Sequence, residues 1–391
     1  MKRIVVFVLL LFITEITQAQ VYQAVYGAIV NQCSQQNITN NLTTFESLGL
    51  KRKGTTALQN TLDWLKNKYI SFGYTTSQIE EQSYTYSGYT CKNLIVTKTG
   101  TLYPNIYVIV CGHYDSTGGT GTNDNGSGVV SILEVARLLQ SVPTEYSIKF
   151  INFSGEEDGL YGSQNFVSQI VNGTSPKMNI RIVFNLDEVG GVAGITNNQI
   201  TCEKDTNNTP STNNAQSATF TNELMNCVSL YSPLTPVLSY AYSSDYMPFQ
   251  ANNEIITGFF ETNETTHKHT ATDLLINMDP VYNFNVAKAA IGATLHFAKA
   301  STTLSIDSKS KEDLFTLENN PVKDFLKVNY SDASLFSNAT ITIVDIMGNV
   351  VTLQKLNQAL VSVENLPVGL YLLSIYNEKG ELLGSKKIIK E

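Results

Sequence analysis

The chain has 391 residues and a formal net charge of −8, from 34 acidic and 26 basic residues. A chain of this length is expected to form two or more domains. Hydrophobic residues make up 42% of the chain and charged residues 15%, which is typical of a folded protein and not of a disordered one. The excess of acid gives no electrostatic basis for binding nucleic acid or an anionic membrane, so we expect no nucleic-acid partner.

The first 19 residues are predicted to form a secretory signal peptide. Lys2 and Arg3 precede an apolar run over residues 4–13, and Thr17-Gln18-Ala19 offers a small-residue cleavage site before Gln20. The run is too short to span a bilayer comfortably, and no later apolar run is long enough. We therefore expect an exported protein with no transmembrane segment after signal removal. The alternative is an uncleaved anchor.

Five cysteines are present, and export would permit disulfides between them. An odd count leaves at least one thiol unpaired, and the third cysteine, inside an apolar run, is the candidate for a buried free thiol. Spacing leaves the pairing of the others open. No Cys-x-x-Cys pair occurs, so we expect no cysteine-ligated zinc. The five are Cys33, Cys91, Cys111, Cys202 and Cys227.

Residues 20–300 alternate strand patterns with helical patterns, which predicts an α/β domain with a mostly parallel sheet. Apolar runs that predict strands lie at residues 84–89, 91–97, 103–111, 146–153, 180–186 and 254–260. Helical spacing occurs at 55–71, 129–139, 163–171, 219–231 and 281–299, and more weakly over 22–50.

The pattern changes after residue 300. Residues 301–313 are polar and predict a linker, and residues 314–391 contain short strand patterns separated by turns, which predict a small all-β sandwich. This part contains no His and no Cys, so it offers no evident metal chemistry. Its strand patterns lie at 325–330, 339–345, 350–353, 359–363, 370–376 and 386–390.

Three consecutive carboxylates, Glu156-Glu157-Asp158, follow the strand pattern that ends at Phe153. A strand interior would not accommodate them, because burying an unpaired charge is costly. We therefore predict a loop at the carboxyl end of the strand, where open α/β sheets form ligand sites. One glutamate would ligate a cation while its neighbour transfers a proton, and the residues alone do not say which. The alternative is a solvated acidic turn.

Further potential ligands follow other strand patterns. His113 and Asp115 come after one strand, Asp187 after another and His269 beyond a third, while Asp124 lies in a glycine-rich loop. Two imidazoles with several carboxylates suit zinc, and a loop carboxylate can bridge two ions about 3.5–4 Å apart. Each residue alone has an ordinary explanation as a hydrogen-bonding partner or a helix cap. Their joint occurrence at the strand ends of one domain favours a metal site.

Five motifs in this order resemble the co-catalytic zinc aminopeptidases of the bacterial leucyl aminopeptidase type, a family that shares its fold with glutaminyl cyclases. The resemblance covers roughly residues 40–300 and implies a mixed, mostly parallel eight-stranded sheet flanked by helices. The motifs occupy residues 112–116, 123–128, 155–163, 185–187 and 269–273.

The resemblance also implies two Zn²⁺ ions per chain. His113 and Asp187 would hold one zinc, Glu157 and His269 the other, and Asp124 would bridge them. These assignments come from matching positions to the family's motifs.

The same resemblance implies the chemistry. Glu156 would be the general base that takes a proton from zinc-bound water and returns it to the leaving amine. Asp115 would orient the imidazole of His113. The free α-amine of the substrate would meet a zinc or a carboxylate, so the enzyme would remove the N-terminal residue of peptides and proteins.

An aromatic-rich segment over residues 240–260 is predicted to line a pocket for a bulky apolar side chain, with Tyr246, Phe249 and Phe260 as substrate contacts. The alternative is that these aromatics belong to the core. Family members often have His at the position of Tyr246 and Met at that of Glu188. These departures leave the preferred N-terminal residue open.

The C-terminal part resembles a type IX secretion C-terminal sorting domain, on the motifs at residues 320–322, 345–349, 366–371 and 386–390. This implies the type IX secretion machinery as a partner. It also implies export through the periplasm and outer membrane of a Bacteroidetes-like bacterium, to a secreted or cell-surface-attached state. The alternative is an ordinary accessory binding module.

Together these features predict a signal peptide at 1–19, a zinc peptidase domain at 20–300, a linker at 301–313 and a sorting domain at 314–391. The predicted function is that of a secreted dizinc aminopeptidase. Three alternatives remain: a single-zinc glutaminyl-peptide cyclase, a dizinc carboxypeptidase, and a non-catalytic surface-binding protein on the same fold. A carboxypeptidase would need a basic pocket, of which the arginine-poor loops give no sign.

Overall fold

The computed structural model describes residues 20–205, 209–301, 314–330, 336–345, 350–356, 359–378 and 382–391. The predicted signal peptide and all of the predicted linker except Ser301 lie outside these residues. Internal contacts divide the chain into two units, one before residue 304 and one from there on.

The first unit is built on an eight-stranded sheet with the order β1-β2-β4-β3-β5-β8-β6-β7. Strands β4, β3, β5 and β8 run parallel at its centre, β1, β2 and β6 pair antiparallel to their inner neighbours, and β7 runs parallel to β6. The predicted mixed, mostly parallel sheet is confirmed. The strands are β1 Ile79–Tyr86, β2 Tyr89–Lys98, β3 Tyr103–His113, β4 Tyr146–Phe153, β5 Asn179–Leu186, β6 Gln199–Lys204, β7 Thr235–Tyr240 and β8 Ile256–Glu261.

Helices cover both faces of the sheet. Polar side chains start several of them: Thr55, Asn125 and Asp279 each accept hydrogen bonds from amides in the first turn of the helix that follows. The helices are α1 Ala24–Val30, α2 Gln35–Ser47, α3 Thr56–Ser71, α4 Gly126–Leu139, α5 Tyr161–Phe166, α6 Asn214–Tyr231, α7 Met247–Ala251 and α8 Pro280–Phe297. A single π-helical turn, Val167–Val171, continues α5.

Alternating side chains of the central strands form two cores. Val108 and Val110 belong to the larger core, which includes residues of α3, α4, α6 and α8. Ile109 and Cys111 point the other way, into a core shared with α5 and α7. Strands buried on both faces explain the continuous apolar runs in the sequence. All five cysteines are unpaired in the structure, and Cys111 is a fully buried thiol.

Strands β6 and β7 were not among the predicted strands. Both are short, and their sequences, Gln-Ile-Thr-Cys-Glu-Lys and Thr-Pro-Val-Leu-Ser-Tyr, contain no apolar run. Strand β7 lies at the edge of the sheet and is largely exposed, so little hydrophobic pattern is required of it.

The second unit consists of two antiparallel sheets that share one core, including Leu326, Val328, Ile341, Ile343 and Leu373, and the predicted small all-β sandwich is confirmed. One sheet has the order β13-β10-β9 and the other β12-β11-β14-β15. The strands are β9 Phe315–Leu317, β10 Phe325–Tyr330, β11 Thr340–Asp345, β12 Val350–Lys355, β13 Leu360–Ser362, β14 Gly369–Tyr376 and β15 Leu382–Lys390.

Across the described residues, none of the helices combines the length and the apolar character that a bilayer span requires.

One half-buried histidine in this fold has a consequence for stability. His296 on α8 lies with its Nε2 2.9 Å from the Tyr231 hydroxyl, and its ring packs edge-on against Tyr26. Burial lowers the pKa of His296 to about 4. An unfolded histidine has a pKa of about 6.5, so between these values the unfolded chain binds the extra proton and acid destabilises the fold.

We therefore expect the wild-type protein to lose stability as the pH falls from about 6.5 to 4, and His296→Phe to lose less, by roughly 1–2 kcal/mol because solvent screens the partly exposed ring. Urea unfolding of both proteins across this pH range, at a fixed zinc concentration, measures the difference between their free energies of unfolding. Contributions of groups that the two proteins share cancel in this difference. Parallel pH profiles for the two proteins would contradict this prediction.

Candidate metal centre

The carboxyl ends of the parallel strands bring the predicted ligands to one edge of the sheet. Because parallel strands present these ends on the same side, residues far apart in sequence meet there. One ligand is the last residue of β3, one follows β5 directly, and the others lie in the loops after β4, before α4 and beyond β8. They are, in that order, His113, Asp187, Glu157, Asp124 and His269.

The first half of the site is centred on His113, whose side chain is 1% exposed. Its Nε2 lies 3.3 Å from Asp124 Oδ1 and 3.3 Å from Asp187 Oδ1. Glu156 Oε2 is more distant, at 3.9 Å. One imidazole and two carboxylates thus converge on one point.

The second half is centred on His269. Its Nε2 lies 3.0 Å from Asp124 Oδ2 and 3.0 Å from Glu157 Oε2. The two oxygens of Asp124 therefore face different histidine–carboxylate groups. This is the arrangement that a carboxylate bridging two metal ions requires.

The donor set fits zinc. Ligand atoms of His113, Asp124 and Glu157 lie within 4.8 Å of one another, as do those of His113, Glu156 and Asp187. Asp187 Oδ1 is buried with no hydrogen-bond partner, which is costly unless a cation or donor compensates it. Imidazole nitrogen and carboxylate oxygen are ligands that zinc accepts.

The electrostatics of the site favour a cation. Burial, together with neighbouring carboxylates such as Asp187, raises the pKa of Glu156 to about 10 despite the attraction of His113. Burial and then Asp124 raise the pKa of Glu157 to about 8. Burial opposes the charging of His113, but Asp187 and Glu156 raise its pKa well above the usual value. Without metal, this crowded cluster binds protons instead, and a divalent cation would replace them.

Asp115 positions the acidic loop rather than a metal. Its Oδ1 accepts a hydrogen bond from the Glu156 amide at 3.2 Å, and its Oδ2 accepts one from the Glu157 amide at 3.3 Å. Its Oδ1 also lies 3.7 Å from His113 Nδ1. Asp115 therefore fixes both glutamates and faces the outer nitrogen of His113.

Asp273 fixes the other acidic loop. Its carboxylate accepts hydrogen bonds from the amides of Asn123, at 2.8 Å, and Asp124, at 3.1 Å. The loop around His269 also packs against Gly118, where a Cβ atom would lie 2.0 Å from the His269 carbonyl oxygen. Glycine at 118, with φ of 72°, is what allows this approach.

Two supporting residues were missed in the sequence. Ser244 Oγ donates a hydrogen bond to Asp187 Oδ2 at 2.5 Å. Buried Glu261, at the end of β8, accepts hydrogen bonds from the Asn123 side chain and the Gly191 amide. Both act over long sequence separations. The only signal available was that polar residues stand at or near strand ends.

The aromatic residues predicted to contact substrate lie elsewhere. Tyr246 is 1% exposed and Phe249 is fully buried, so both belong to the core, and the Tyr246 hydroxyl donates to Glu203 Oε2. Phe260 is half-buried beside Lys268. The structure therefore does not place Tyr246 or Phe249 in contact with substrate.

A cleft of about 280 Å³ lies over the predicted metal ligands. Apart from those ligands and Glu156, its wall includes Gly159, Leu160, Glu188, Tyr242, Ser243 and Lys268. Tyr242, just after β7 and 56% exposed, comes from the same aromatic segment as the residues predicted to contact substrate.

Residues 93–294 match the model of a protein family described as Peptidase family M28. The match covers just over half of the chain. The chain belongs to peptidase family M28. A second model, described as Secretion system C-terminal sorting domain, matches residues 320–391. The predicted resemblances of both parts of the chain are confirmed.

Curated relatives agree with this family. The chain is 30% identical over 192 residues to a "Probable zinc metalloprotease" of Pyrenophora teres f. teres, which is 43% of this chain and 39% of that protein. It is 41% identical over 108 residues to "Aminopeptidase YwaD" of Bacillus subtilis, which is 27% of this chain and 23% of that protein. The chain thus spans less than half of the length of these relatives.

Solved structures share the fold. The LapA aminopeptidase of Legionella pneumophila superposes with a TM-score of 0.63 at 20% identity, over 76% of this chain and 80% of that one. A glutaminyl cyclase of Macrostomum lignano gives a TM-score of 0.60 at 16% identity, over 71% and 93%. At such identities the likeness shows the fold alone. The prediction that the protein is a zinc metallopeptidase is confirmed by its membership of family M28.

The position of Asp115 yields a test of the site. We expect Asp115→Asn to weaken zinc binding by roughly 10- to 100-fold, because one of the two amide contacts to the glutamate loop and the negative charge near His113 are lost. Competition with a chromogenic chelator measures the affinity.

Asp158→Asn is the matched control for this experiment. Asp158 belongs to the same loop, but its carboxylate binds Arg52 and Lys53 and contacts none of the predicted ligands. Its substitution is expected to leave zinc affinity within about twofold, because its partners, Arg52, Lys53 and Tyr86, lie outside the predicted ligand set. Equal losses in both variants would refute a specific role for Asp115.

Proposed function

We propose that the protein is a secreted dizinc aminopeptidase that hydrolyses the N-terminal residue of peptides and proteins. The position of Asp124 supports two ions, because its Oδ1 faces His113 and its Oδ2 faces His269. His113 and Asp187 would hold one zinc, Glu157 and His269 the other, and Asp124 both.

The geometry also supports the division of labour between the two adjacent glutamates. Glu157 Oε2 is 3.0 Å from His269, whereas Glu156 Oε2 stays 3.9 Å from His113. Glu157 therefore suits ligation, and Glu156 is the carboxylate left for proton transfer. Bound zinc would activate water and polarise the scissile carbonyl. Glu156 would accept the water proton, hold it on its carboxylate, and deliver it to the nitrogen of the leaving amine.

The charge of the cleft favours binding a free amine over a free carboxylate. Five carboxylates line it: Asp124, Glu156, Glu157, Asp187 and Glu188. The single lysine that the described residues place in this wall, Lys268, is already paired with two glutamates. Two bound zinc ions would neutralise the ligands among these carboxylates, which leaves Glu156 and Glu188 to attract a substrate's terminal ammonium group. A terminal carboxylate would meet no lysine or arginine of this wall, among the described residues, that is without a carboxylate partner. This supports an aminopeptidase over a carboxypeptidase.

A glutaminyl-peptide cyclase with one zinc is the second candidate, because a glutaminyl cyclase shares the fold. The bridging position of Asp124 favours two ions and hence the aminopeptidase. A non-catalytic surface-binding protein on the same fold would have no use for Glu156 beside the ligand set.

Export is proposed from the two ends of the chain. The match to a secretion sorting domain supports the type IX secretion machinery as a partner, and the N-terminal segment has the pattern of a signal peptide. The protein would pass through the periplasm and the outer membrane and act outside the cell or on its surface.

Activity and its dependence on metal are tested with leucine p-nitroanilide and its N-acetylated form. We expect release of nitroaniline from the free-amine substrate only, and its loss on treatment with a chelator. Glu156→Gln is expected to lower kcat by about 10²- to 10⁴-fold, because the general base is removed. Activity that persists after chelation would refute the metal-dependent mechanism.

Metal content separates the candidates. We expect two zinc ions per chain in the wild type and in Glu156→Gln, and fewer in Asp124→Ala, measured by elemental mass spectrometry on the protein after gel filtration. One zinc per chain, with cyclisation of N-terminal glutamine and no release of amino acids, would select the glutaminyl cyclase. A peptide-binding response unchanged in Glu156→Gln, without turnover by either protein, would select the binding protein.

A further inference from the structure

One buried carboxylate in the wall of the cleft has no place among the predicted ligands. Glu188 follows Asp187 directly, and its side chain is 9% exposed. Its Oε1 accepts a hydrogen bond from Lys268 Nζ at 3.3 Å, but its Oε2 is buried without a hydrogen-bond partner. A buried carboxylate oxygen without a donor is costly, so Glu188 favours an incoming group that supplies one.

Lys268 satisfies Glu188 only in part. Its ammonium group is shared between Glu188 and Glu264, and the Glu264 side chain is 48% exposed. One ammonium against two carboxylates leaves one negative charge in excess. Because Lys268 is also held by Glu264, a cation that reaches Oε2 after a rotation of the Glu188 carboxylate need not displace the lysine.

The rest of the wall suits a long aliphatic stem. Leu160 and Tyr242 line the same cleft as Glu188. The stems of lysine and arginine pack on such surfaces while their charged ends reach a polar partner. An acidic substrate side chain would instead lie against the carboxylate of Glu188, which is not among the predicted zinc ligands.

We propose that Glu188 selects substrates whose N-terminal residue has a cationic side chain, lysine or arginine, by accepting a hydrogen bond from it at Oε2. The inference rests on the proposed aminopeptidase function, in which this cleft holds the first residue of the peptide. It replaces the bulky apolar side chain expected from the aromatic segment.

The test compares lysine p-nitroanilide with norleucine p-nitroanilide, whose stem is the same but lacks the ammonium group, on the zinc-loaded full chain. We expect kcat/KM to favour lysine by about tenfold or more, as for a hydrogen bond to a charged group. Glu188→Gln should lower kcat/KM for lysine by roughly 10- to 100-fold and bring the ratio of the two substrates close to one. A merely structural role would lower both substrates alike.

Glu254→Gln is the matched control. Glu254 is another buried glutamate, 7% exposed at its side chain and paired with Lys177 at 2.6 Å, but it does not line the cleft. Its variant should keep the wild-type ratio. Thermal stabilisation by L-lysinamide and by L-norleucinamide gives a readout without turnover. Lysinamide should stabilise the wild type more, and Glu188→Gln should remove the difference.

The outcomes separate this inference from the function on which it rests. A wild-type protein that cleaves norleucine as well as lysine overturns the inference and leaves the aminopeptidase standing, and this result does not depend on any variant folding. An unchanged ratio in Glu188→Gln does the same. If the zinc-loaded protein cleaves neither substrate, the aminopeptidase function fails. Selective stabilisation by lysinamide would then still support a cation site at Glu188, and its absence would overturn that as well.

Discussion

The crowding of buried carboxylates at the strand ends is the constraint on which the rest of the site depends. Asp124, Glu157 and Asp187 are brought together with two imidazoles by strands and loops that the core holds in place. Such a cluster is unfavourable alone, because each charge loses water and repels its neighbours. The fold tolerates it through supporting contacts to amides and hydroxyls, and through the cation that its donor set suits. Stability and metal binding are therefore linked in this domain.

The contacts that support the ligand loops are of one kind. Asp115 accepts hydrogen bonds from the backbone amides of Glu156 and Glu157, and Asp273 accepts one from the backbone amide of Asp124. In each case a carboxylate outside the metal set fixes the backbone of a loop that would otherwise be flexible. The ligand loops are thereby held to the rigid part of the domain, which reduces the entropy lost on metal binding.

Much of this could be predicted from the sequence, since the central strands are long apolar runs and polar residues such as His113 and Asp187 stand at their ends. The roles of Glu156 and Glu157 could not, because they depend on how one loop turns and not on residue type. Strand β7 could not be predicted because its exposed faces require no hydrophobic pattern, and β6 could not because it is only six residues long and most of them are polar. The sequence does not show that Tyr246 and Phe249 are core residues, because an irregular segment has no periodicity that indicates which side is buried. Only the packing of α7 against the sheet decides that.

Glu188 and Lys268 are each the immediate chain neighbour of a predicted ligand, Asp187 and His269. Part of the cleft wall thus shares two short backbone segments with two of the predicted ligands. An insertion or deletion there would shift a ligand together with its neighbour in the wall, so exchanging the neighbour's side chain in place is the change that leaves the position of the ligand undisturbed.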